Sequence, residues 1–352
     1  MAKFLKLQFG GVPELARQVA AELGRGLAVV PVLGGYCVLA REQSALDEWR
    51  VTSDEWRVAR LVGQDEIRAA MGSFAPEFAV RASRVMAGPV VAGFGASGTL
   101  LALANEPLAA ELMRASELWV AVPEEPMEPG EMADEPGRKV SVVVTGPEPG
   151  PGPTVVDFGR RPVVVDRRGK LGILDLEREL GELVRLGPGL FFSVLIVCTG
   201  NSCRSPMAHA VLAGMLAGLP VFVYSAGTAA PVGGAASAGA IEATLERGVD
   251  LIRHRAQQLD AQMIRGADLV LVMELHHRDQ VLELVPEAAD RTRLLLEYGD
   301  GGKEVEDPIG GSIELYRRTL DQMVPALGRI ATEIRFRAGA VSGPTGGHTK
   351  EN

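Results

Sequence analysis

Apolar positions along this chain recur at two spacings, and the change from one to the other divides it into short strands and amphipathic helices. Residues 13–23 carry apolar side chains at helical spacing, and residues 27–33 form a continuous apolar run after Gly24-Arg25-Gly26. Such a run is the pattern of a strand covered on both faces. Farther on, residues 154–158 and 161–166 predict two strands and residues 176–186 a helix. From residue 192 onward four short runs rich in Val, Leu and Ile, at 194–197, 221–225, 269–273 and 293–296, alternate with helical stretches. Strands that alternate with helices build a parallel sheet with helices on its faces, so the fold class is α/β with a doubly wound, four-stranded sheet in this half. A long final helix is predicted over 313–336, and the Gly-rich, polar segment 338–352 predicts a disordered tail.

Composition narrows the setting. The 352 residues, 47% hydrophobic and 23% charged, suffice for two domains. A net charge of −9 argues against nucleic acid or an anionic membrane as the main partner. Residues 85–105 are uncharged, but their glycines and Pro89 favour buried strands and turns over a membrane span. The three cysteines, Cys37, Cys198 and Cys203, cannot form a disulfide framework, and no cleavable leader is visible; a reducing, cytoplasmic compartment is expected. Residues 122–138, rich in Pro and Glu, read as an exposed loop, and residues 145–153 resemble a linker in composition. Asp47-Glu48-Trp49-Arg50-Val51 recurs as Asp54-Glu55-Trp56-Arg57-Val58, the mark of a small duplication.

The chemistry concentrates in Val197-Cys198-Thr199-Gly200-Asn201-Ser202-Cys203-Arg204-Ser205-Pro206. The run follows the 194–197 strand and leads into a helix expected to start near Pro206. A loop at a helix N-terminus aims several backbone N–H groups into one concavity, and the helix dipole adds partial positive charge there. The same field holds an anion and lowers the pKa of a cysteine, so Cys198 is expected as a thiolate nucleophile. Arg204 offers a planar fork for two phosphoryl oxygens. Gly200 and Asn201 tolerate the positive φ that such a loop requires. Ser205 is placed to hydrogen-bond the Cys198 sulfur. No metal-ligand set and no cofactor motif are read from the chain.

These residues resemble the phosphate loop of the low-molecular-weight protein tyrosine phosphatases, a family that includes a protein-arginine phosphatase branch. The resemblance extends over residues 192–336. It is carried further by Ser225-Ala226-Gly227-Thr228, His254-Arg255-Ala256-Gln257-Gln258-Leu259, residues 267–273 and Glu306-Asp307-Pro308. It implies that Cys198 attacks phosphorus and forms a phosphocysteine, and that Asp307 serves first as acid and then as base. It also implies a loop of Thr199, Gly200, Asn201, Ser202, Cys203 and Ser205 braced by Ser225 and His254. Cys203 is implied as a partner for a reversible disulfide with Cys198, the alternative being a small buried apolar residue.

Substrate choice turns on Ser202 and Ile309. Tyrosine-specific members carry a bulky aliphatic residue at the first position and aromatic residues after the Asp-Pro. Here Asp307-Pro308-Ile309-Gly310-Gly311-Ser312-Ile313 offers no ring to stack on a phenol. That favours phosphoarginine over phosphotyrosine, although the arginine-specific branch has threonine at the Ser202 position and an aromatic at Ile309. Phosphorylated proteins are the expected partners; the oligomeric state is not legible. Arsenate reductases share the loop, but the thioredoxin-coupled ones need two further cysteines beyond Cys203. A non-catalytic phosphate-binding adaptor is the remaining alternative, and it does not explain the retention of Cys198, Arg204 and Asp307 together.

The N-terminal half resembles a YrdC-like threonylcarbamoyl-AMP synthase domain through Ala28-Val29-Val30-Pro31, Tyr36 and Pro153-Thr154-Val155-Val156-Asp157. The functional positions of that family do not carry over. Its threonines fall on Val32 and Gly34, its arginine falls near Leu100, and no Ser-Ala-Asn stands near 120–125. The expectation is therefore a degenerate domain over 1–188, a phosphatase domain over 192–337 and a tail over 338–352. A bifunctional phosphatase and tRNA-modifying synthase is the alternative.

Overall fold

The computed structural model describes residues 2–7, 12–33, 35–49, 56–94, 99–104, 106–114, 117–123, 127–134, 140–145, 150–299 and 304–340. The chain divides into two compact units, Met1–Pro188 and Gly189–Asn352, each built on its own sheet.

In the first unit the described strands form one mixed sheet. Its order is Lys3–Lys6, Val140–Thr145, Leu27–Val32, Gly35–Ala40, Leu118–Pro123, Trp56–Val62, Leu100–Leu103, Val90–Gly93, Thr154–Asp157, Val164–Arg167 and Arg185–Leu186. The apolar run at 27–32 is buried because both faces of its strand are covered. Ala28, Val30 and Val32 enter one hydrophobic core with the helix Val12–Leu23, while Leu27 and Val29 enter another on the opposite face. The next strand divides in the same way, Cys37 and Leu39 against Tyr36, Val38 and Ala40. This is the two-residue period of a pleated strand.

Several expectations for this half change. The 122–138 segment is not wholly an exposed loop: its described residues include the helix Pro129–Asp134, and Met132 is fully buried. The linker-like stretch 145–153 lies inside the first unit, where Gly152 accepts from Lys170 N at 2.8 Å and Pro153 from Arg167 Nη2 at 2.8 Å. The helix expected over 176–186 runs from Ile173 to Leu180 and stops at Gly181, whose φ of +69° reverses the chain; Arg185–Leu186 is then a strand. The strand expected from Arg161 begins only at Val164. The two Asp-Glu-Trp-Arg-Val copies, in part outside the described residues, diverge in structure: the first falls at the end of the helix Gln43–Trp49, the second at the start of the strand Trp56–Val62.

In the second unit β1 (Phe192–Cys198), β2 (Val221–Gly227), β3 (Leu269–Val272) and β4 (Thr292–Leu294) form a parallel sheet in the order β2-β1-β3-β4. The helices are α1 (Arg204–Met215), α2 (Ala238–Leu245), α3 (Ala261–Arg265), α4 (Leu275–Leu284) and α5 (Ile313–Arg337). Leu195 and Val197 of β1 join Val270, Val272 and the α4 residue Val281 in one core. Val194 and Ile196, at the alternate positions, turn to the other side, where α1 packs on β1 and β2 and α5 packs on α1. The fourth strand is shorter than expected because Leu295–Tyr298 turns into a 3-10 helix. Of the expected tail, only Ala338, Gly339 and Ala340 are among the described residues.

Because β1 is central and buried throughout its middle, its side chains anchor the loop that follows it. Leu195→Ala is expected to destabilise the unit by about 2–5 kcal/mol, the usual cost of such a truncation in a packed core. Urea unfolding checks this, and a loss below about 1 kcal/mol would contradict the central placement of β1.

Candidate active site

β1 ends on Cys198 and α1 begins on Arg204, so Thr199 to Cys203 form a loop at the carboxyl end of the central strand. The helix starts two residues earlier than Pro206, which places Pro206 in the first turn, where N–H groups have no intrahelical partner to lose. Parallel sheets of this kind bind ligands at this edge.

The loop is turned inside out by its neighbours. The carbonyl of Cys198 accepts from Thr228 N at 3.0 Å, that of Thr199 from Ala229 N at 2.9 Å, and that of Ser202 from Ser237 N at 2.9 Å. The carbonyl of Asn201 accepts from His254 Nε2 at 2.7 Å, so that ring nitrogen carries the proton. With carbonyls directed outward, the N–H groups of Asn201 and Ser205 reach the Cys198 sulfur. Burial holds the His254 pKa below its ordinary value, so the ring is a neutral donor.

Asn201 sets this geometry. Its φ is +49°, the left-handed region expected for it, whereas Gly200 is not among the positive-φ residues. Its amide donates to Ser205 Oγ and to Ser225 Oγ, both at 2.9 Å, and its Oδ1 accepts from Gln257 N at 2.9 Å. Ser205 Oγ also lies 3.0 Å from Cys198 Sγ. Since that oxygen already accepts from Asn201, its one proton is free to point at the sulfur. Gly227, opposite Cys198 in the β1–β2 register, leaves room for the loop: a Cβ there would stand 2.5 Å from the Thr199 carbonyl oxygen and 2.8 Å from Asn201 N.

Arg204 is buried, with 2% of its side chain exposed, and held by two carboxylates. Nη1 donates to Glu274 and, at 3.1 Å, to the Val305 carbonyl, while Nη2 donates to Asp307 Oδ2 at 2.7 Å. Asp307 Oδ1 accepts from Ile309 N at 3.2 Å. Two further bonds fix this region: Glu304 accepts from Leu275 N at 2.9 Å, and Arg318 forks onto Glu306 at 3.0 and 3.2 Å. Sequence reasoning missed Glu274 as a partner of Arg204. The signal was present, since Glu274 follows β3, the strand beside β1, and so emerges at the same edge of the sheet.

The expectation of a depressed Cys198 pKa is not met. Burial pushes this thiol above its ordinary value, opposed by Ser205, by the Arg204 charge and by Asn201 N–H. The physical reason is that the sulfur is almost fully enclosed, while the nearest cation is already shared by two carboxylates. Cys203 stands among hydroxyls, 3.3 Å from Ser237 Oγ, 3.5 Å from Ser202 Oγ and 3.7 Å from Tyr316 Oη, and all three cysteines are free thiols. Thr199 Oγ1 pairs with His277 Nε2 at 2.9 Å. Ile309 is 60% exposed, at the surface beside Asp307.

The arrangement makes a charge prediction. Removing one of the carboxylates on Arg204, as in Asp307→Asn, leaves its positive charge less compensated and favours the nearby thiolate. The pH profile of Cys198 alkylation by iodoacetamide is expected to move to lower pH in that variant; a shift to higher pH, or none, would contradict the shared-guanidinium geometry.

Comparison with known proteins agrees with this architecture. The family model for low molecular weight phosphotyrosine protein phosphatase matches residues 193–338. A protein-arginine-phosphatase of Geobacillus stearothermophilus is 40% identical over 146 residues, 41% of this chain and 97% of that protein. A protein-arginine-phosphatase of Bacillus subtilis is 37% identical over 145 residues, 40% of this chain and 96% of that protein. The low molecular weight protein-tyrosine-phosphatase Etp of Escherichia coli is 39% identical over 131 residues, 37% of this chain and 82% of that protein. Through its second unit, the chain belongs to the low molecular weight phosphotyrosine protein phosphatase family.

Proposed function

We propose that the second unit is a cysteine-dependent protein phosphatase that hydrolyses phosphoarginine in preference to phosphotyrosine. One observation carries the reading: Cys198, Arg204 and Asp307 meet at one sheet edge, the sulfur 3.0 Å from a hydroxyl free to donate and the guanidinium 2.7 Å from the carboxylate. A phosphoryl dianion entering the loop takes over the guanidinium hydrogen bonds now made to carboxylate. The Cys198 thiolate attacks phosphorus, forming the S–P bond as the P–N bond of phosphoarginine (P–O in phosphotyrosine) breaks. Asp307, once released from Arg204, takes up the proton that the Cys198 thiol gives up and delivers it to the departing guanidine or phenolate. A water molecule then attacks the phosphocysteine, Asp307 takes its proton, and the S–P bond breaks to release inorganic phosphate. Ser205 stabilises the thiolate as leaving group in that second step, and Thr199, Gly200, Asn201, Ser202 and Cys203 supply the loop around the phosphoryl oxygens. Ser225 and His254 brace it through Asn201.

Support for phosphoarginine comes from the rim. Ser202 is small and Ile309 is aliphatic and exposed, so no aromatic face is offered to a phenol ring by either residue. The relatives in Geobacillus stearothermophilus and Bacillus subtilis, both protein-arginine-phosphatases, favour the same choice. For residues 1–188 we retain the reading of a degenerate YrdC-like domain without synthase activity, placed before a catalytic domain over 192–337. Among the described residues no helix is long and apolar enough to cross a membrane. The sparse, free cysteines favour a reducing, cytoplasmic setting.

Parallel assays on matched phosphoarginine and phosphotyrosine peptides test the substrate. With the Cys198→Ser chain as blank, kcat/KM is expected to favour phosphoarginine by about tenfold or more, equivalent to about 1.4 kcal/mol in transition-state binding. A preference for phosphotyrosine would reverse the assignment. Pyrophosphate release dependent on ATP, bicarbonate and threonine is expected to be absent, and its presence would show a working synthase.

A further inference from the structure

Beside the phosphate loop stands a group of donors of which one, Glu274, also holds Arg204 and another, His277, touches the loop at Thr199. Glu274, immediately before α4, and His276 and His277 in its first turn each place one ligand atom within 4.8 Å of the other two. Glu274 Oε2 lies 2.8 Å from His276 Nδ1, and the two imidazole rings have centroids 3.9 Å apart. Around a tetrahedral ion with bonds of 2.0–2.2 Å, neighbouring ligand atoms stand about 3.3–3.6 Å apart. Closing this trio on such an ion therefore needs only small side-chain movements.

His277 supplies the independent sign of a ligand. It is fully buried and its Nε2 is engaged by Thr199 Oγ1 at 2.9 Å, yet its Nδ1 has no hydrogen-bond partner. A buried polar nitrogen left unanswered costs about 1–3 kcal/mol. With Nε2 paired to the Thr199 hydroxyl, Nδ1 is the ring nitrogen left over for a metal. His276 is half exposed and leaves a route in from solvent. The hydroxyl on Nε2 also fits the outer hydrogen bond by which ligating histidines are oriented. Glu274 supplies the one negative charge of the trio, set against the positive charge of Arg204 and the α4 N-terminus.

We propose that Glu274, His276 and His277 form a binding site for a divalent transition metal ion of the zinc class, and that metal there restrains the phosphatase. Two imidazoles and one carboxylate with an open fourth position suit zinc, whereas magnesium and calcium require oxygen ligands. Glu274 is the shared residue: a metal on Oε2 competes with the hold that the same carboxylate has on Arg204. The regulatory part rests on the phosphatase reading; the binding part does not.

Zinc binding to the full-length Cys198→Ser chain, which removes the catalytic thiolate as a competing ligand, separates the two. Titration calorimetry with zinc chloride is expected to show one ion per chain. Adding His276→Ala, or His276→Gln to keep the side-chain bulk, is expected to weaken binding by about tenfold or more, with circular dichroism and melting unchanged. Equal affinity with and without His276, or no zinc bound by the Cys198→Ser chain, would overturn the site. In the chain with Cys198 intact, zinc is expected to lower turnover, with chelator restoring it, and His276→Ala alone is expected to keep metal-free turnover while losing zinc sensitivity. Inhibition that persists undiminished in His276→Ala would overturn the regulatory part.

Discussion

The left-handed backbone of Asn201 is the constraint on which the site depends. A non-glycine residue there carries strain of about 1–3 kcal/mol and persists only where its surroundings hold it. Four hydrogen bonds do so, from its amide to Ser205 and Ser225, from Gln257 N to its Oδ1, and from His254 to its carbonyl. That one dihedral turns the carbonyls of the loop toward β2, α2 and the 254–257 segment, and thereby turns N–H groups toward Cys198. Gly227 belongs to the same constraint, because a side chain there would occupy the space of the Thr199 carbonyl.

Arg204 carries the electrostatic counterpart. Glu274 and Asp307 hold a guanidinium that is enclosed by protein, and burial raises the Cys198 thiol with the Arg204 charge opposing that rise only in part. The resting site thus holds its cation with its own acids, and substrate must exchange for them. In the proposed mechanism this exchange links binding to chemistry, because the carboxylate displaced from Arg204 is the proposed proton donor. It also makes Glu274 the point through which an ion on His276 and His277 reaches the phosphate site.

The catalytic unit was far more legible than the first. Cys198, Arg204 and Ser205 lie within eight residues, and a strand before a helix is enough to infer a concave, positive loop. Ser225, His254 and Asp307 were reached through family resemblance, because contacts across 24 to 103 residues leave no local trace in the sequence. Glu274 escaped because an acid after a strand is commonplace until the strand order β2-β1-β3 puts it beside Arg204. The thiol expectation failed for a related reason: a helix N-terminus is visible in sequence, but the burial of the sulfur and the pairing of its cation are tertiary facts. In the first unit, boundaries such as the end of the Ile173–Leu180 helix turned on a single left-handed Gly181. Proline and glycine at 150–153 looked like a linker because composition does not show that their carbonyls are bonded within the unit.

The account stands most directly on the covalent intermediate. Acid quenching during turnover of phosphoarginine peptide, followed by peptide mass spectrometry, is expected to find a phosphoryl group on Cys198 and on neither Cys37 nor Cys203. A phosphoryl group on another residue, or turnover retained by Cys198→Ser, would contradict it.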